Sequence, residues 1–337
     1  MTTDKPVLWG VLGAAKIARL KVIPAMQQSK LGRIEGLASR DAERARTTAQ
    51  ELGIPRSYGS YEEMLADPEI EAVYNPLPNH LHVPLTVQAM EAGKHVLCEK
   101  PIGLTSDEAA ALIAAQARTG KIVAEAFMVR HHPQWQRARE IVQSGALGTV
   151  RSMNVNFSYH LTDPTNVRNM ADIGGGGLYD IGCYAIATSR YLFGAEPERV
   201  VALMDRDPVT RVDRVTSGLL AFSGGRQLTF TCSTQVVPYQ KVIVLGDKGR
   251  LEVSVPFNAD PTRPTQILVD DGSDLYGKGI KTEEFLPADP YLAQGDAFMR
   301  AIRGTEALAY PISDAVSNMK VIDALFRSAE TGRWETL

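Results

Sequence analysis

The sequence predicts an α/β protein with a doubly wound parallel sheet in its N-terminal part. Its C-terminal part is predicted to be an α+β domain with a large, mostly antiparallel, open sheet. Up to residue 125, short apolar strands alternate with helical segments, which is typical of repeated βαβ units. From residue 126 onward, segments of alternating polarity follow one another with glycine turns between them. We therefore divide the 337 residues into domains at 1–125 and 126–337.

Composition excludes several classes of protein. The formal net charge is -3, so no basic field indicates a nucleic-acid partner. Hydrophobic residues make up 44% and charged residues 22%, as in ordinary globular proteins, and no apolar run reaches the roughly 18 residues of a membrane helix. The first residues are short and polar rather than a secretory signal, so we expect a cytoplasmic protein without membrane partners.

Cysteines and histidines do not indicate a metal site. The three cysteines, Cys98, Cys183 and Cys232, are far apart and lack CxxC spacing, so a disulfide framework or zinc site is not expected. They are interpreted as small buried hydrophobic residues. His80 and His82 resemble a metal pair, but no further Cys, His or Asp cluster accompanies them. We expect no metal.

The first βαβ unit carries an imperfect dinucleotide-binding fingerprint. An apolar strand at 7–12 ends at Gly13, a helical pattern covers 14–28, and a second strand follows at 34–38. Against the GxGxxG/A pattern, alanine replaces the middle glycine at Ala15. The helix start would still offer free N–H groups to a pyrophosphate. The candidate contacts are Gly13, Ala14, Ala15, Lys16 and Ile17. The alternative is a tight turn that binds nothing.

The end of the second strand favours NADP(H) over NAD(H). NAD enzymes place an acidic residue there for the ribose hydroxyls, whereas this chain has Ser39 and Arg40, with Arg44 one helical turn later. Guanidinium groups pair well with a dianionic 2′-phosphate. In the alternative interpretation this is a solvated helix start, with Asp41 stabilising the first turn and the arginines free.

Further βαβ units lead to a lysine at a strand end. Capping boxes at Ser60 and Thr105 open helices, and Gly93 ends another. The predicted strands lie at 72–74, 95–98 and 122–124, with a Pro/Asn/His loop at 76–82. Lys100 follows the strand at 95–98, and ligands of open α/β sheets bind at the carboxyl ends of strands. Its ammonium group must therefore reach water or serve a ligand.

The second half predicts a helix at 134–143, a series of strands and a last helix at 313–331. The strands are predicted at 151–159, 199–204, 217–222, 227–233, 240–245 and 250–255. Two hairpin turns are predicted, at Gly224-Gly225 and at Asp247-Lys248-Gly249.

A run of four glycines, Gly174–Gly177, precedes Asp180 and Tyr184. Glycines are expected where the backbone approaches a ligand closely or where a helix starts tightly. Asp180 and Tyr184 are four residues apart, so on an α-helix they would share a face. Without Lys100, the segment Gly174–Tyr184 is interpreted equally well as a glycine turn before a core helix. Taken with Lys100, it is a set of side chains suited to proton transfer.

These motifs together resemble those of the Gfo/Idh/MocA oxidoreductases. The resemblance rests on Gly13–Ala18, Pro78–His82, Gly93–Pro101 and Gly174–Tyr184, in this order along nearly the whole chain. It implies an N-terminal Rossmann domain for the dinucleotide and a C-terminal domain for substrate binding, whose sheet often forms the oligomer interface. We therefore expect a homodimer or homotetramer.

The resemblance also implies an activity: hydride transfer between nicotinamide C4 and the carbinol carbon of a sugar, sugar derivative or vicinal diol. Many members of the family carry histidine at the position of Tyr184. With tyrosine there, the chain resembles a branch of the family that tends to use NADP(H). Tyr184 is the implied general acid/base, with a neighbouring Lys100 favouring its phenolate; Lys100 as the base is the second assignment. Asp180 would orient Lys100 or hold a substrate hydroxyl. Further implied cofactor contacts are Pro78, Asn79, His82, Glu99, Lys100, Arg168 and Tyr291.

Some proteins of this fold bind a dinucleotide and regulate without turnover. Such a regulator does not need Lys100 or a proton-handling tyrosine, and both are present here. Their presence favours an enzyme, and a non-catalytic regulatory protein is kept as the alternative prediction.

Overall fold

Six parallel strands form the first sheet of the computed structural model, which describes residues 5–337. The polar residues 1–4, expected to lead into the first strand, lie outside the described residues. The strands are β1 (Val7–Leu12), β2 (Gly32–Ala38), β3 (Arg56–Tyr58), β4 (Ala72–Asn75), β5 (His95–Glu99) and β6 (Val123–Ala126). Their order, β3-β2-β1-β4-β5-β6, reverses between β1 and β4. A doubly wound sheet leaves a ligand crevice at that point.

Several helices begin or end at residues suited to those positions. The α-helices are α1 (Ile23–Met26), α2 (Ala42–Glu51), α3 (Tyr61–Ala66), α4 (His82–Glu91), α5 (Ser106–Thr119), α6 (Pro133–Gln143), α7 (Cys183–Phe193), α8 (Pro290–Ile302) and α9 (Ile312–Thr331). The side chains of Asp41, Ser60 and Thr105 accept hydrogen bonds from the first turns of α2, α3 and α5. Gly93 follows α4 with a φ of 83°. The two predicted capping boxes therefore open helices as expected.

The first predicted helix differs in form. Over 14–28 the chain makes a π-helical turn at Ala18–Val22 before the four-residue α1. Pro24 has no N–H to donate to the preceding turn, and its ring crowds the carbonyl four residues earlier. An α-helix that meets a proline in this way relaxes locally into wider turns.

The core beside the parallel sheet lies between this sheet and helices that include α1 and α8. Trp9 is fully buried, with its ring centroid 5.5 Å from that of Phe298 in α8. A Cβ at Gly295 would lie 3.2 Å from Met26 Cγ, so α8 approaches α1 closely. Burial of these large side chains supplies most of the favourable free energy of packing.

The second sheet is mostly antiparallel, as predicted. Its strands are β7 (Val150–His160), β8 (Pro197–Arg206), β9 (Asp213–Phe222), β10 (Gln227–Ser233), β11 (Gln235–Gly246), β12 (Arg250–Val253), β13 (Thr265–Asp270), β14 (Ile280–Phe285) and β15 (Glu335–Thr336). They lie in the order β14-β13-β12-β11-β7-β10-β9-β8-β15. Strands β7 and β10 pair in parallel, and the other neighbours pair antiparallel. The predicted fold class is confirmed.

One face of this sheet is covered and the other is open. In β7, Met153, Val155 and Phe157 are buried, whereas Asn154 and Asn156 are not. Every residue of α7 is buried, because the helix lies in the core on the covered side of this sheet. The opposite face carries short polar and apolar side chains, including Leu203, whose exposed fraction is 79%.

Compactness divides the chain into two units. One comprises the chain up to Met128 with Pro290–Met319, and the other comprises Val129–Asp289 with Lys320–Leu337. The predicted functional division, with cofactor binding in 1–125 and substrate binding in 126–337, stays a prediction. None of the helices in residues 5–337 combines the length and apolar composition that a membrane crossing needs.

Several elements were not predicted. Strand β3 has only three residues, and most of β14 is exposed, so neither has a clear apolar pattern. Strands β13 and β14 flank a loop rich in Asp and Gly, which is typical of irregular structure. Helix α8 begins at Pro290 and contains Gly295, and both residues weaken a helical pattern.

Candidate active site

The turn after β1 is the one that the sequence predicts to bind the pyrophosphate. Gly13 has a φ of 80°, and its N–H donates to Ala38 O at 2.7 Å. A Cβ at Gly13 would lie 2.8 Å from Leu77 Cδ2, so both the backbone and the available space require glycine. Ala14 is buried and Ala15 partly buried, while Lys16 is exposed. The first amides of a helix have no partner within it, so those around Ile17 are suited to an anion.

Ser39, Arg40 and Arg44 lie together at the carboxyl end of β2. Ser39 is buried and accepts from Asp41 N at 3.2 Å, while Arg44 Nη2 donates to Ala14 O at 3.2 Å. Asp41 also accepts from Arg44 N at 3.0 Å, so it does stabilise the first turn of α2. Both arginines are exposed. The residues predicted for the pyrophosphate and for the 2′-phosphate are therefore linked by Arg44.

Tyr61 is a residue of this cluster that sequence reasoning missed. Burial raises the pKa of its hydroxyl, while the nearby positive charges of Arg40 and Arg44 act in the opposite direction. Its hydroxyl would lie 3.7 Å from a Cβ at Gly13. The phenol therefore lies close both to the two arginines and to the turn at Gly13. It opens α3 within a capping box, and its position beside β2 follows only from the fold.

The loop after β4 is fixed by a buried polar network. Asn75 is fully buried, and its Nδ2 donates to His82 O at 3.1 Å and to Thr86 Oγ1 at 3.2 Å. Both ring nitrogens of His82 face backbone carbonyls, Nδ1 at 2.7 Å from Pro101 O and Nε2 at 2.6 Å from Leu77 O.

His82 is 1% exposed, and burial lowers its pKa to about 4. Its ring therefore ties the β4 loop to the turn that carries Lys100. The other two predicted contacts in this loop, Pro78 and Asn79, are partly exposed.

The Lys100 turn follows β5 and is held by side chains on both sides. His82 contacts Pro101 O, and Glu125 Oε1 accepts from Ile102 N at 2.8 Å. Lys100 N lies 3.4 Å from Glu99 Oε2. Lys100 is partly exposed. Its backbone is therefore held by His82 at the start of α4, Glu99 at the end of β5 and Glu125 in β6.

Tyr74 connects two predicted cofactor residues of the first unit. Its hydroxyl donates to Glu99 Oε1 at 2.6 Å. Burial, followed by the Glu99 charge and the nearby hydroxyl of Tyr291, raises the pKa of Tyr74. Tyr291 packs against the core of the same unit. Tyr74 was not predicted for the site, because the sequence pattern of its short apolar strand indicates an ordinary core residue.

In the second unit, Arg168, Asp180 and Tyr184 come together as a tyrosine cluster with Tyr159. Arg168 Nε donates to Asp180 Oδ2 at 3.0 Å, and the hydroxyl of Tyr159 donates to the same oxygen. Arg168 also lies close enough to Tyr184 to interact electrostatically, and its pKa is raised chiefly by Asp180. The missed residue, Tyr159, has the same strand parity as the buried Phe157, which is a pattern that could have identified it.

Tyr184 sits in an aromatic environment. It is 6% exposed, and its ring centroid lies 5.8 Å from that of Phe157 and 5.2 Å from that of Phe257. The segment Leu178–Gly182 before it is π-helical rather than α-helical. The expected shared α-helical face of Asp180 and Tyr184 therefore does not describe this segment, and Arg168 interacts with both side chains.

Among residues 5–337, no group of three or more His, Cys, Asp or Glu side chains is placed to hold a metal ion. Cys98, Cys183 and Cys232 are buried free thiols. Burial raises the pKa of Cys98 and of Cys232 above the usual range for a thiol. A thiol whose deprotonation is disfavoured in this way is a weak nucleophile.

Two family models match the chain. A model described as an oxidoreductase family with an NAD-binding Rossmann fold matches residues 7–127. A model described as the GFO/IDH/MocA C-terminal domain matches residues 135–252. Together they cover most of both units.

Relatives with similar sequences and structures extend over nearly the full chain. An uncharacterized oxidoreductase of Rhizobium meliloti is 47% identical, covering 98% of this chain and 99% of its own. A D-xylose 1-dehydrogenase (NADP(+)) of Haloferax volcanii is 40% identical, covering 97% of this chain and 98% of its own. The structure of a 3-ketoreductase from Actinomadura kijaniata in complex with NADP and TDP-benzene has a TM-score of 0.88 and 28% identity, covering 96% and 98% of the two chains.

Proposed function

The chain belongs to the Gfo/Idh/MocA family of NAD(P)-binding oxidoreductases, and we propose that it uses NADP(H) to oxidise or reduce a sugar, sugar derivative or vicinal diol. The reaction is hydride transfer at a CH–OH carbon, as in an NADP-dependent dehydrogenase or reductase. The observation that carries the proposal is the Ser39, Arg40 and Arg44 cluster at the end of β2.

The chemistry of this cluster suits a 2′-phosphate. One hydroxyl and two exposed guanidinium groups converge where NAD enzymes place a carboxylate. A carboxylate would repel a phosphate dianion, whereas guanidinium groups pair with it through parallel N–H donors. The Haloferax volcanii relative is named for NADP(+), and the Actinomadura kijaniata structure contains NADP. Both support NADP(H) over NAD(H).

The relatives and the tyrosine cluster support the proposed substrate class. One relative is named for D-xylose, and another structure holds TDP-benzene in a 3-ketoreductase. The cluster offers phenols, a carboxylate and a guanidinium, which are groups that hydrogen-bond several hydroxyls at once. An aldose, a keto-sugar or a diol presents hydroxyls of this kind.

Proton handling is assigned to Tyr184 and Lys100. NADP(H), when bound, accepts or supplies the hydride. An alcohol loses hydride readily only when a base removes its hydroxyl proton, and the Tyr184 phenol is the proposed acid/base. The Lys100 ammonium would stabilise the developing alkoxide. Lys100 as the immediate base is the second assignment.

The neighbours of Tyr184 support its role. The positive charge of Arg168 stabilises a phenolate nearby, and Phe157 and Phe257 keep the ring in one orientation. Asp180, held by Arg168 and Tyr159, is assigned to orient Lys100 or a substrate hydroxyl. Lys100 itself stands on a turn held by His82 and Glu125, which preorganises its backbone for the reaction.

A substrate panel tests the proposal. Aldoses including D-xylose, vicinal diols and keto-sugars would be incubated with NADP(H) and, in parallel, with NAD(H), and absorbance at the reduced nicotinamide band would be followed. We expect turnover on at least one sugar or diol, with higher kcat/KM for NADP(H). Stoichiometric NADPH binding with no turnover on the whole panel would instead favour the non-catalytic regulator.

A further inference from the structure

Asp213, at the start of β9, is a carboxylate buried against the glycine run Gly174–Gly177. Its exposed fraction is 1%. Its Oδ2 accepts hydrogen bonds from Leu178 N and from Thr216 Oγ1, each at 2.7 Å. A buried carboxylate requires such donors, because it has lost its hydration. No sequence motif identifies Asp213 as part of the site.

The shape of the glycine run is explained by this carboxylate and by the loop before the run. Gly176 has a φ of 116°, and a Cβ there would lie 1.9 Å from Asp213 Oδ1. A Cβ at Gly175 would lie 2.7 Å from both Arg168 O and Met170 O. Gly176 N also donates to Arg168 O at 2.9 Å. The run thus packs Arg168 and Asp213 against one backbone segment.

The bond from Leu178 N lies at the first residue of the helical segment that continues into α7. A helix start has free N–H groups and the positive end of the helix dipole, so a carboxylate there is stabilised. Burial raises the pKa of Asp213 to about 6, and the bonds from Thr216 and Leu178 counteract this. Asp213 therefore serves as a cap supplied by a strand rather than by the preceding residue.

Asp180 and Tyr184 follow Leu178 on the same helical segment. Because a helix moves as a rigid element, a displaced first turn displaces both side chains. Resting on the proposed function, we infer that Asp213 is a positioning residue, which holds the helix start and the Arg168 loop so that Asp180 and Tyr184 meet the substrate correctly.

The experiment compares Asp213→Ala, Asp213→Asn and a control, Asp205→Ala. Asp205 is an exposed carboxylate on β8 of the same unit and pairs with Arg214. Alanine removes the acceptor for Leu178 N, whereas asparagine keeps a carbonyl oxygen there. Turnover with the best panel substrate is expressed per NADPH-binding site, so that unfolded protein does not count. The Kd for NADPH is measured separately, because the cofactor residues lie mostly in the other unit.

For Asp213→Ala we expect kcat per binding site to fall about tenfold to a hundredfold, with the Kd for NADPH changed less than about twofold. Asp213→Asn should stay within about threefold of the wild type, and Asp205→Ala should be unchanged. Wild-type kcat per binding site in Asp213→Ala would overturn the inference. An equal decrease in kcat per binding site in Asp213→Ala and Asp213→Asn would also overturn it.

Two further measurements keep the inference testable. If Asp213→Ala does not fold, Thr216→Val replaces it, because it removes the hydroxyl that donates to Asp213 Oδ2 and keeps the shape of the side chain. If the wild type turns over no panel substrate, the proposed function fails, and hydrogen–deuterium exchange decides the inference separately. Asp213→Ala should then accelerate exchange in peptides covering 178–190 but not in the first sheet, and unchanged exchange there would contradict the anchoring.

Discussion

Arg168 and Asp180 form an ion pair, with Arg168 Nε 3.0 Å from Asp180 Oδ2. The hydroxyl of Tyr159 donates to the same carboxylate oxygen. The side chains of Arg168 and Asp180 are 42% and 16% exposed, so the pair is only partly screened by water. Since Arg168 also interacts with Tyr184, the pair sets both the orientation of Asp180 and the charge near the phenol.

Arg168→Met should lower kcat about tenfold, because it removes the positive charge near Tyr184 and leaves Asp180 with fewer donors. Arg168→Lys should recover only part of the loss, since an ammonium lacks the planar fork of guanidinium. Steady-state kinetics on the best panel substrate measures both. Arg214→Met, which breaks an exposed pair with Asp205, is the control. Turnover of Arg168→Met within about threefold of wild type would exclude the role.

Lys100→Met and Tyr184→Phe should each reduce kcat about a hundredfold or more, because a positioned acid/base group is typically worth that factor. Binding of NADPH, followed by fluorescence, should change little in Tyr184→Phe. Tyr239→Phe, at a tyrosine that is 52% exposed in the same unit, should behave as wild type. If either variant keeps turnover within about threefold of wild type, the corresponding residue does not handle the proton.

Arg40→Ala and Arg44→Ala should shift cofactor preference. Each removes a charged hydrogen-bond donor, so KM for NADP+ should rise about tenfold to a hundredfold while KM for NAD+ changes little. The ratio of kcat/KM for the two cofactors is the measurement. Arg46→Ala is a matched control, because Arg46 lies on the same helix but pairs with Glu43 on the exposed surface. An equal decrease in kcat/KM with NADP+ and with NAD+ would mean that the arginines do not bind the 2′-phosphate.

Asp213 should make stability depend on pH in the direction opposite to that of most carboxylates. Its pKa is raised from 3.8 to about 6 by burial, so between these values the folded state binds more protons than the unfolded state. Its contribution to the free energy of unfolding is therefore most favourable in acid and is lost as pH rises, by about 2 kcal/mol between about pH 4 and pH 7.

The measurement is urea unfolding of the wild type and Asp213→Asn across that pH range. The difference between the two free energies of unfolding isolates Asp213 from the other titrating groups. The wild type should lose stability relative to Asp213→Asn as pH rises. A difference that is constant with pH would show that Asp213 titrates normally.

Leu203→Asp should dissociate the oligomer that we propose forms through the open face of the second sheet. Leu203 is 79% exposed on β8 of that face, where an interface would bury it. A buried unpaired carboxylate costs several kcal/mol, enough to separate subunits. Light scattering after size exclusion gives the mass. Leu275→Asp is the control, at a fully exposed leucine in the loop between β13 and β14. A mass unaffected by Leu203→Asp would place the interface elsewhere, or indicate a monomer.

Local patterns in the sequence were sufficient for much of the fold. The apolar strand before Gly13 and the capping boxes at Ser60 and Thr105 depend on nearest neighbours and are where they were expected. Alternation in β7 and β10 likewise shows which residues of the second sheet are buried. The missed strand β14 lacks such a pattern, because most of its residues are exposed. Strand β13 has half of its residues buried, but it is short, and its pairing partners β12 and β14 are known only from the fold.

The sequence by itself determined the α/β class, the glycine turn after β1, the arginines after β2 and the identity of the motif residues. Tertiary structure decided which side chains meet: Tyr61 beside the arginines, Tyr159 and Arg168 on Asp180, and Asp213 under the glycine run. The physical reason is range. Turns, caps and alternation are set by interactions within a few residues, whereas a hydrogen bond between Asp213 and Leu178 joins groups 35 residues apart and exists only once the sheet and helix have packed.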